Sequence, residues 1–464
     1  MRGGVGTSGC GSTLRVLRHA SPADSSSPST ANIALARRPS RRGPSPGKTC
    51  YSAVSASAPS VSVVPSRAPG LVVGSTWVTS TLCHSLLRIE PYSSCPFACS
   101  YCYARWYGWG PSGSVRGAPG VVAAFERVAR LVRKKGLRPI PFRLATLVDP
   151  FPPQEAEAKL ALRALAVALE HEYPLIVSTK GVLYAEEPWR SALRRLAERG
   201  LVLLQVSVST LEGAALLEPR APPPAQRLSC AAQLAEEGVP VAVRVSPHVP
   251  RLSPTRREEV EELASKLREA GFKHLILEFL RGEPRFLALL AGKHGIGELR
   301  ELEPYSLRRA GREPPLARVR LALRAAIALV YAEAARRAGL TFATCMEGLF
   351  ELHSAPDCCG AHLLRDSALR PMLGDVYRHV SSSGPASPLE LAAACAGWGR
   401  VCGSELLEYP RIVSKPLRYH ERRLWRALGE AHLLERLTPN LELEDGLVVA
   451  RKLSGAYAQE LLED

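Results

Sequence analysis

The sequence is poor in several residue types, and it lacks the long apolar run of a membrane helix. It has three methionines in 464 residues, and its only asparagines are Asn32 and Asn440. No stretch reaches the roughly 18 uncharged apolar residues that indicate a membrane span, because arginines interrupt the longest candidate, residues 316–335. We therefore expect no membrane helix. The arginine-rich, asparagine-poor composition fits either a GC-rich gene or a heat-adapted protein.

Acidic residues are almost absent from the first part of the chain. Residues 1–74 contain nine Lys or Arg and one acid, Asp24, so they carry about half of the formal charge of +16. Their Ser, Pro and Arg content predicts a disordered tail. An organelle transit peptide and a start codon placed too early are the alternatives. The rest of the chain is only mildly basic, which makes charge weak evidence for nucleic acid.

From residue 75 onward, short apolar runs alternate with helical patterns. The runs lie at residues 86–89, 141–148, 175–178, 201–208, 239–245, 275–279 and 340–344, and the helical windows at 121–135, 154–170, 190–199, 224–237 and 256–270. Continuous apolar strands between helices indicate a parallel sheet covered by helices. We predict an α/β fold, a partial (β/α)6-type TIM-like barrel over 75–345, with a doubly wound sheet as the alternative. Residues 346–464 read as a helical, cysteine-containing extension.

Three cysteines follow the first predicted strand. Cys95, Cys99 and Cys102 are separated by three and two residues, in a loop marked by Pro91 and Pro96. Such gaps let a short loop wrap three thiolates around one corner of a [4Fe-4S] cluster, which leaves the fourth iron open to a chelating small molecule. A zinc site is the alternative, but no obvious fourth ligand is close in sequence.

This triplet resembles the CxxxCxΦC motif of the radical S-adenosylmethionine superfamily, with Tyr101 at the aromatic position. Residues 89–95 (IEPYSSC) and 101–105 (YCYAR) resemble the entry motif of proteins related to spore photoproduct lyase, and so do residues 149–155, 178–180, 207–210, 218–222 and 245–250. The resemblance implies a cluster that reduces S-adenosylmethionine to a 5′-deoxyadenosyl radical, which abstracts a hydrogen atom from a substrate. The lyases carry a donor cysteine at the end of the second strand. Residues 145–149 contain no thiol in this sequence. The resemblance therefore does not imply that this protein shares the substrate of the lyases.

Polar residues at strand ends are the candidates for binding S-adenosylmethionine. Lys180, Ser178 and Ser207 follow the third and fourth predicted strands, where side chains converge in a barrel. The resemblance also assigns Tyr101 to the cofactor site. Arg244, within an otherwise apolar strand, either reaches the substrate or cofactor or pairs with an acid. No catalytic residue is assigned.

Five further cysteines lie near or beyond the end of the predicted barrel. Cys345, Cys358, Cys359, Cys395 and Cys402 either hold an auxiliary iron–sulfur cluster, pack as apolar side chains or supply a redox thiol.

The prediction as a whole is a cytoplasmic radical enzyme with ferredoxin or flavodoxin as electron donor and a nucleic acid as one candidate substrate. The rival is a non-catalytic iron–sulfur or zinc protein that binds nucleic acid.

Overall fold

The computed structural model describes residues 70–110, 114–306 and 315–453. The predicted tail therefore lies almost wholly outside the described residues. The strands are β1 Arg88–Ile89, β2 Phe142–Leu144, β3 Leu175–Thr179, β4 Val202–Val208, β5 Val241–His248, β6 His274–Phe279, β7 Arg281–Gly282, β8 Leu302–Pro304, β9 Ala317–Val319, β10 Thr341–Thr344, β11 Leu441–Glu444 and β12 Leu447–Ala450.

Fifteen α-helices lie in the described part of the chain. They are α1 Trp77–Leu82, α2 Pro119–Lys134, α3 Glu155–Ala158, α4 Leu160–Glu170, α5 Trp189–Glu198, α6 Ala214–Leu217, α7 Pro224–Glu236, α8 Arg257–Glu269, α9 Pro284–His294, α10 Leu321–Ala338, α11 Leu373–Ser383, α12 Pro388–Ala394, α13 Glu405–Glu408, α14 Arg411–Leu428 and α15 Ala431–Leu437. No helix among these residues is both long enough and apolar enough to cross a membrane.

Seven strands form one parallel sheet in the order β1-β2-β3-β4-β5-β6-β10. Each of the seven apolar runs in the sequence became one of these strands, which confirms the predicted α/β partial barrel. The runs are almost free of polar residues because helices cover the outer face and a core fills the inner one, so both faces are buried. The carboxyl ends of the strands consequently meet at one end of the barrel.

Helices that connect the strands lie close to their predicted bounds. One predicted window, residues 154–170, is divided into α3 and α4 because Lys159 adopts a left-handed conformation with φ 51°. Gly339 ends α10 with φ 72°, a conformation that glycine adopts without a steric penalty. The sheet therefore begins again directly after each helix, with little loop between them.

The amino-terminal end of the barrel is filled by residues that follow β10. Cys358, Cys359 and Leu364 pack in one buried cluster with Ile176 of β3, Leu203 of β4 and Ala343 of β10. The backbone N–H of Arg365 donates to the carbonyl of Gly200 at 2.8 Å. Part of the segment predicted as a separate extension thus completes the barrel core, although the domain boundary itself stays a prediction.

The last residues of the predicted disordered tail, 70–74, are ordered, so the predicted end of the tail is corrected. Leu71 and Val72 are buried, the N–H of Val73 donates to the carbonyl of Leu86, and the N–H of Arg88 donates to that of Leu71, both at 2.8 Å. Residues 70–74 therefore extend the edge of the sheet beside β1. Sequence patterning missed them because a run of two or three apolar residues has no period.

Helices α11–α15 follow the barrel, and the described part of the chain also forms two small antiparallel sheets that the sequence did not predict, one inserted between β6 and β10 and one after α15. One sheet has the order β7-β9-β8, and the other is the β11-β12 hairpin. Strands of two to four residues show too little alternation to be recognised in the sequence.

Candidate functional site

The three predicted ligand cysteines lie in a loop that backbone contacts hold in place. The N–H of Cys102 donates to the carbonyl of Cys99 at 3.1 Å, and the N–H of Ser100 donates to the carbonyl of Leu217 at 2.7 Å. Arg105 donates to the carbonyls of Cys99 and Cys102 at 3.1 and 3.0 Å. Neighbouring backbone and Arg105 thus fix the turn that presents the thiols.

All three cysteines line one cavity of about 180 Å³ at the carboxyl ends of the strands. Lys180, Ser178, Ser207 and Tyr101, which the sequence assigned to the cofactor, line the same cavity, and so does Arg244. The structure therefore brings every predicted residue of the first site together. Their individual roles stay predictions.

The surroundings of Cys95 and Cys99 favour the protonated form of their thiols. Burial raises the pKa of Cys99 to about 11 and that of Cys95 well above its usual range. A thiol in this state becomes a ligand only when a metal displaces its proton. Three thiols facing one cavity are the soft donors that an iron–sulfur cluster takes.

A mononuclear metal site fits this loop less well. In the described ranges, no three His, Cys, Asp or Glu side chains converge closely enough to hold one metal ion. A structural zinc site needs four ligands around one ion at about 2.0–2.3 Å, whereas the loop offers three cysteines.

A buried network anchors Lys180 and Tyr101. The Tyr101 hydroxyl contacts Glu218 and lies 2.5 Å from Ser209 Oγ, and Lys180 Nζ is 3.9 Å from Glu218 Oε1. Burial alone would raise the pKa of Glu218, but Lys180 and Arg227 outweigh it and hold that pKa below its ordinary value. Glu218 therefore stays ionised and fixes both residues at the edge of the cavity.

Two acids near the cavity shape loops. Glu90 accepts the backbone N–H groups of Thr146 and Leu147 at 2.9 and 3.0 Å, which fixes the chain after β2. Asp149 accepts the N–H groups of Phe151 and Lys180 at 3.0 and 2.6 Å. Asp149 thus shapes the turn after β2 and sets the position of Lys180.

Sequence reasoning missed three charged residues of the cavity. Arg143 on β2, Glu278 on β6 and Arg281 on β7 line it together with Arg244. The only signal was a charged residue inside an apolar run, which singled out Arg244. The same rule applied to Arg143 and Glu278 would have found them.

The structure divides the five C-terminal cysteines into two groups. Cys395 and Cys402 form a disulfide, so neither has a thiolate to give to a metal. Cys345, Cys358 and Cys359 lie together in the barrel core, with the sulfurs of Cys358 and Cys359 3.7 Å apart. The predicted ligand set of a second cluster is therefore corrected, because two of its members are bonded to each other.

An α/β partial barrel with three cysteines in its first loop defines a class of proteins that hold a cluster at the mouth of the barrel. Residues 89–264 match the family model of the Radical SAM superfamily. Over this segment, which is less than half of the chain, the sequence is similar to that superfamily.

Other known proteins are similar over part of the chain. An uncharacterized protein, ORF301 of Acidianus two-tailed virus, is 32% identical over 139 residues, which cover 28% of this chain and 43% of the viral protein. The chain thus matches less than half of that relative. A variant of spore photoproduct lyase has 17% identity and a TM-score of 0.45, covering 61% of this chain and 80% of the lyase. Streptococcus suis SuiB bound to S-adenosylmethionine has 15% identity and a TM-score of 0.34, covering 55% and 49%.

Proposed function

We propose that this protein is a radical S-adenosylmethionine enzyme with one catalytic [4Fe-4S] cluster held by Cys95, Cys99 and Cys102. The observation that carries the proposal is that these three thiols share a cavity with Lys180, Ser178 and Ser207. When bound, the cluster and S-adenosylmethionine supply a 5′-deoxyadenosyl radical that abstracts a hydrogen atom from the substrate.

The residues of the chain position the reactants and exclude water. Lys180 would donate a charged hydrogen bond to the carboxylate of S-adenosylmethionine, and the hydroxyls of Ser178 and Ser207 would offer further donors. Phe97, Leu147 and Phe279 supply apolar lining, which keeps solvent away from a reactive species. These roles use groups that already face the cavity.

An external reductant and a reducing compartment complete the proposal. We propose a ferredoxin or flavodoxin as the electron donor. We place the protein in the cytoplasm, because free thiols persist where disulfides are reduced. The disulfide between Cys395 and Cys402 is compatible with the cytoplasm of a hyperthermophile, where disulfides are common. The substrate is proposed only as a molecule with an abstractable hydrogen, and repair of spore photoproduct is not assigned.

Anaerobic reconstitution tests this function. Protein loaded with iron and sulfide, reduced with dithionite and mixed with S-adenosylmethionine should release 5′-deoxyadenosine. The triple variant Cys95→Ala, Cys99→Ala, Cys102→Ala should lose this product and the brown absorbance of the catalytic cluster. Replacing Cys230, a buried core cysteine, with Ala is the matched control and should retain both. Product from the triple variant would reject the proposal.

A second candidate function, nucleic-acid binding, is favoured by an exposed basic face. Arg411, Lys415, Arg418 and Arg422 line an open groove along α14, and none of them pairs with a carboxylate in the part of the chain that the structure describes. Tyr409, in the same groove, donates to the carbonyl of Arg138 just before β2. The face therefore lies at the amino-terminal end of the barrel, away from the cavity. Spaced, exposed cations suit the phosphates of a nucleic acid.

Fluorescence anisotropy with a labelled single-stranded DNA tests the second candidate. Replacing Lys415, Arg418 and Arg422 with Gln should weaken binding about tenfold and flatten its salt dependence. The same substitution at Arg194 and Arg195 of α5 and at Arg199, which directly follows it, removes equal charge elsewhere and should have little effect. Equal losses in both variants would show that only net charge matters.

A further inference from the structure

The cavity has more positive than negative side chains in its lining. Its cations are Arg143, Lys180, Arg244 and Arg281, and its carboxylates are Asp149 and Glu278. A buried cation is costly unless an anion or several acceptors compensate it. The hydrogen-bond and ionic partners of each cation therefore show which positive charges have no negative partner.

One carboxylate serves two of these arginines. Arg244 Nη2 donates to Glu278 Oε2 at 2.6 Å, and Arg281 Nη1 also pairs with Glu278. Burial alone would raise the pKa of Glu278, but Arg281 and Arg244 outweigh it and lower that pKa to about 2. The single negative charge of Glu278 leaves one of the two positive charges without a counter-ion.

Arg143 has no anionic partner. Its Nη2 donates to Gln205 Oε1 at 2.6 Å, and Gln205 is itself held by Ser178 Oγ at 2.9 Å. Among the described residues, no carboxylate lies within 4.0 Å of this guanidinium. Arg143 Nε and Arg244 Nη1 have no hydrogen-bond partner among the oxygen and nitrogen atoms around them, and Arg244 also lies against the thiol of Cys345. Two arginines on different strands thus bring to one cavity a positive charge that the single carboxylate of Glu278 compensates only in part.

S-adenosylmethionine does not remove this excess. It carries one carboxylate but also an ammonium and a sulfonium, so it adds one net positive charge. A four-iron cluster with three thiolate ligands adds about one negative charge, and the two contributions cancel. The excess of cations over carboxylates in the lining therefore remains for another ligand.

We propose that Arg143 and Arg244 bind an oxyanion of the substrate, a carboxylate or a phosphate. The assignment rests on the proposed function, because it takes the cavity to be the active site. A guanidinium presents paired donors that match either oxyanion, which favours arginine over lysine for such a role. The substrate class is thus an organic acid or phosphate ester whose anionic group reaches β2 and β5.

Inorganic phosphate and malonate serve as probes of the two oxyanions. Each is titrated into the reconstituted protein, with and without S-adenosylmethionine, at an ionic strength held constant with NaCl. A ligand that binds the native state raises the melting temperature, and the rise increases with the logarithm of the ligand concentration relative to its Kd. We expect one of the two probes to raise it in the wild-type protein, and the more effective probe identifies the oxyanion.

Substitutions locate the binding site. Arg143→Gln keeps a donor for Gln205 but removes the charge, and it should weaken binding of the effective probe about tenfold. Arg143→Lys should weaken binding less, and Arg163→Gln, an exposed arginine on α4, is the matched control and should titrate like the wild type. If Arg143→Gln does not fold, Arg244→Gln provides the same test.

Three results would overturn the proposal. They are no effect of either probe beyond that of NaCl, an unchanged titration in Arg143→Gln, and a loss of S-adenosylmethionine affinity in that variant in place of the oxyanion loss. The last result would assign these arginines to the cofactor. Failure of the wild type to form 5′-deoxyadenosine would instead reject the proposed function, since the probe titration is measured without turnover.

Discussion

Individual buried charges in the cavity lining contribute to the stability of the fold. Glu278 is paired with two arginines, so its removal leaves both without an ionic partner. We predict that Glu278→Gln lowers the free energy of unfolding by about 3 kcal/mol at pH 7. Urea denaturation followed by circular dichroism measures this. Glu126→Gln, which removes an exposed pair with Arg163, should cost less than about 1 kcal/mol.

The cost of Glu278→Gln should also depend on pH. The folded-state pKa of Glu278 lies at about 2, below its ordinary value of 4.5, so its contribution is full above pH 4.5 and is lost as the pH falls toward 2. The difference between wild type and variant should therefore shrink by about half at pH 3. A difference that stays constant between pH 7 and pH 3 would contradict the depressed pKa.

How far the site could be predicted from the sequence also depends on individual residues. Cys95, Cys99 and Cys102 were found because their spacing is itself the chemical signal. Lys180 and Ser207 were found because strand ends converge. Glu218 and Glu90 were missed because their roles depend on which distant backbone and side-chain groups they meet, and no local pattern encodes that.

At the scale of secondary-structure elements, the edge strand β1 depends on residues that precede it. Leu71 and Val72 are buried, and Val73 accepts a hydrogen bond from His420 of α14 at 3.0 Å. A chain that begins at Ser75 should be less stable than one that begins at Gly70 by about 3 kcal/mol, because it exposes the groups that these side chains cover.

Chemical denaturation of the two shortened chains gives the comparison, with the full chain as reference. Equal stabilities would mean that residues 70–74 contribute nothing to the sheet.

The predicted barrel strands were long, continuous and apolar, and all were found. Sequence analysis did not find the edge segment Leu71–Val73, the three-stranded sheet β7-β9-β8 or the hairpin β11-β12. Tertiary contacts determine how these short segments pair.

For the molecule as a whole, the arrangement of cysteines determines how much iron it can carry. In the proposed function, the loop with Cys95, Cys99 and Cys102 supplies three ligands, whereas the disulfide removes Cys395 and Cys402 from any second set. Cys345, Cys358 and Cys359 remain, and they are buried together in the barrel core without lining the cavity that Cys95, Cys99 and Cys102 share. We therefore predict about four irons per reconstituted chain, the content of one cluster.

Iron and sulfide analysis of wild type and variants checks this count. The triple variant of Cys95, Cys99 and Cys102 should carry almost none, whereas Cys358→Ala and Cys359→Ala should each retain about four. Alkylation before and after reduction should show Cys395 and Cys402 protected only before it. About eight irons in the wild type, with four left in the triple variant, would instead mean that the barrel core opens to admit a second cluster. In that case Cys345 and its two neighbours would act as metal ligands in place of core packing.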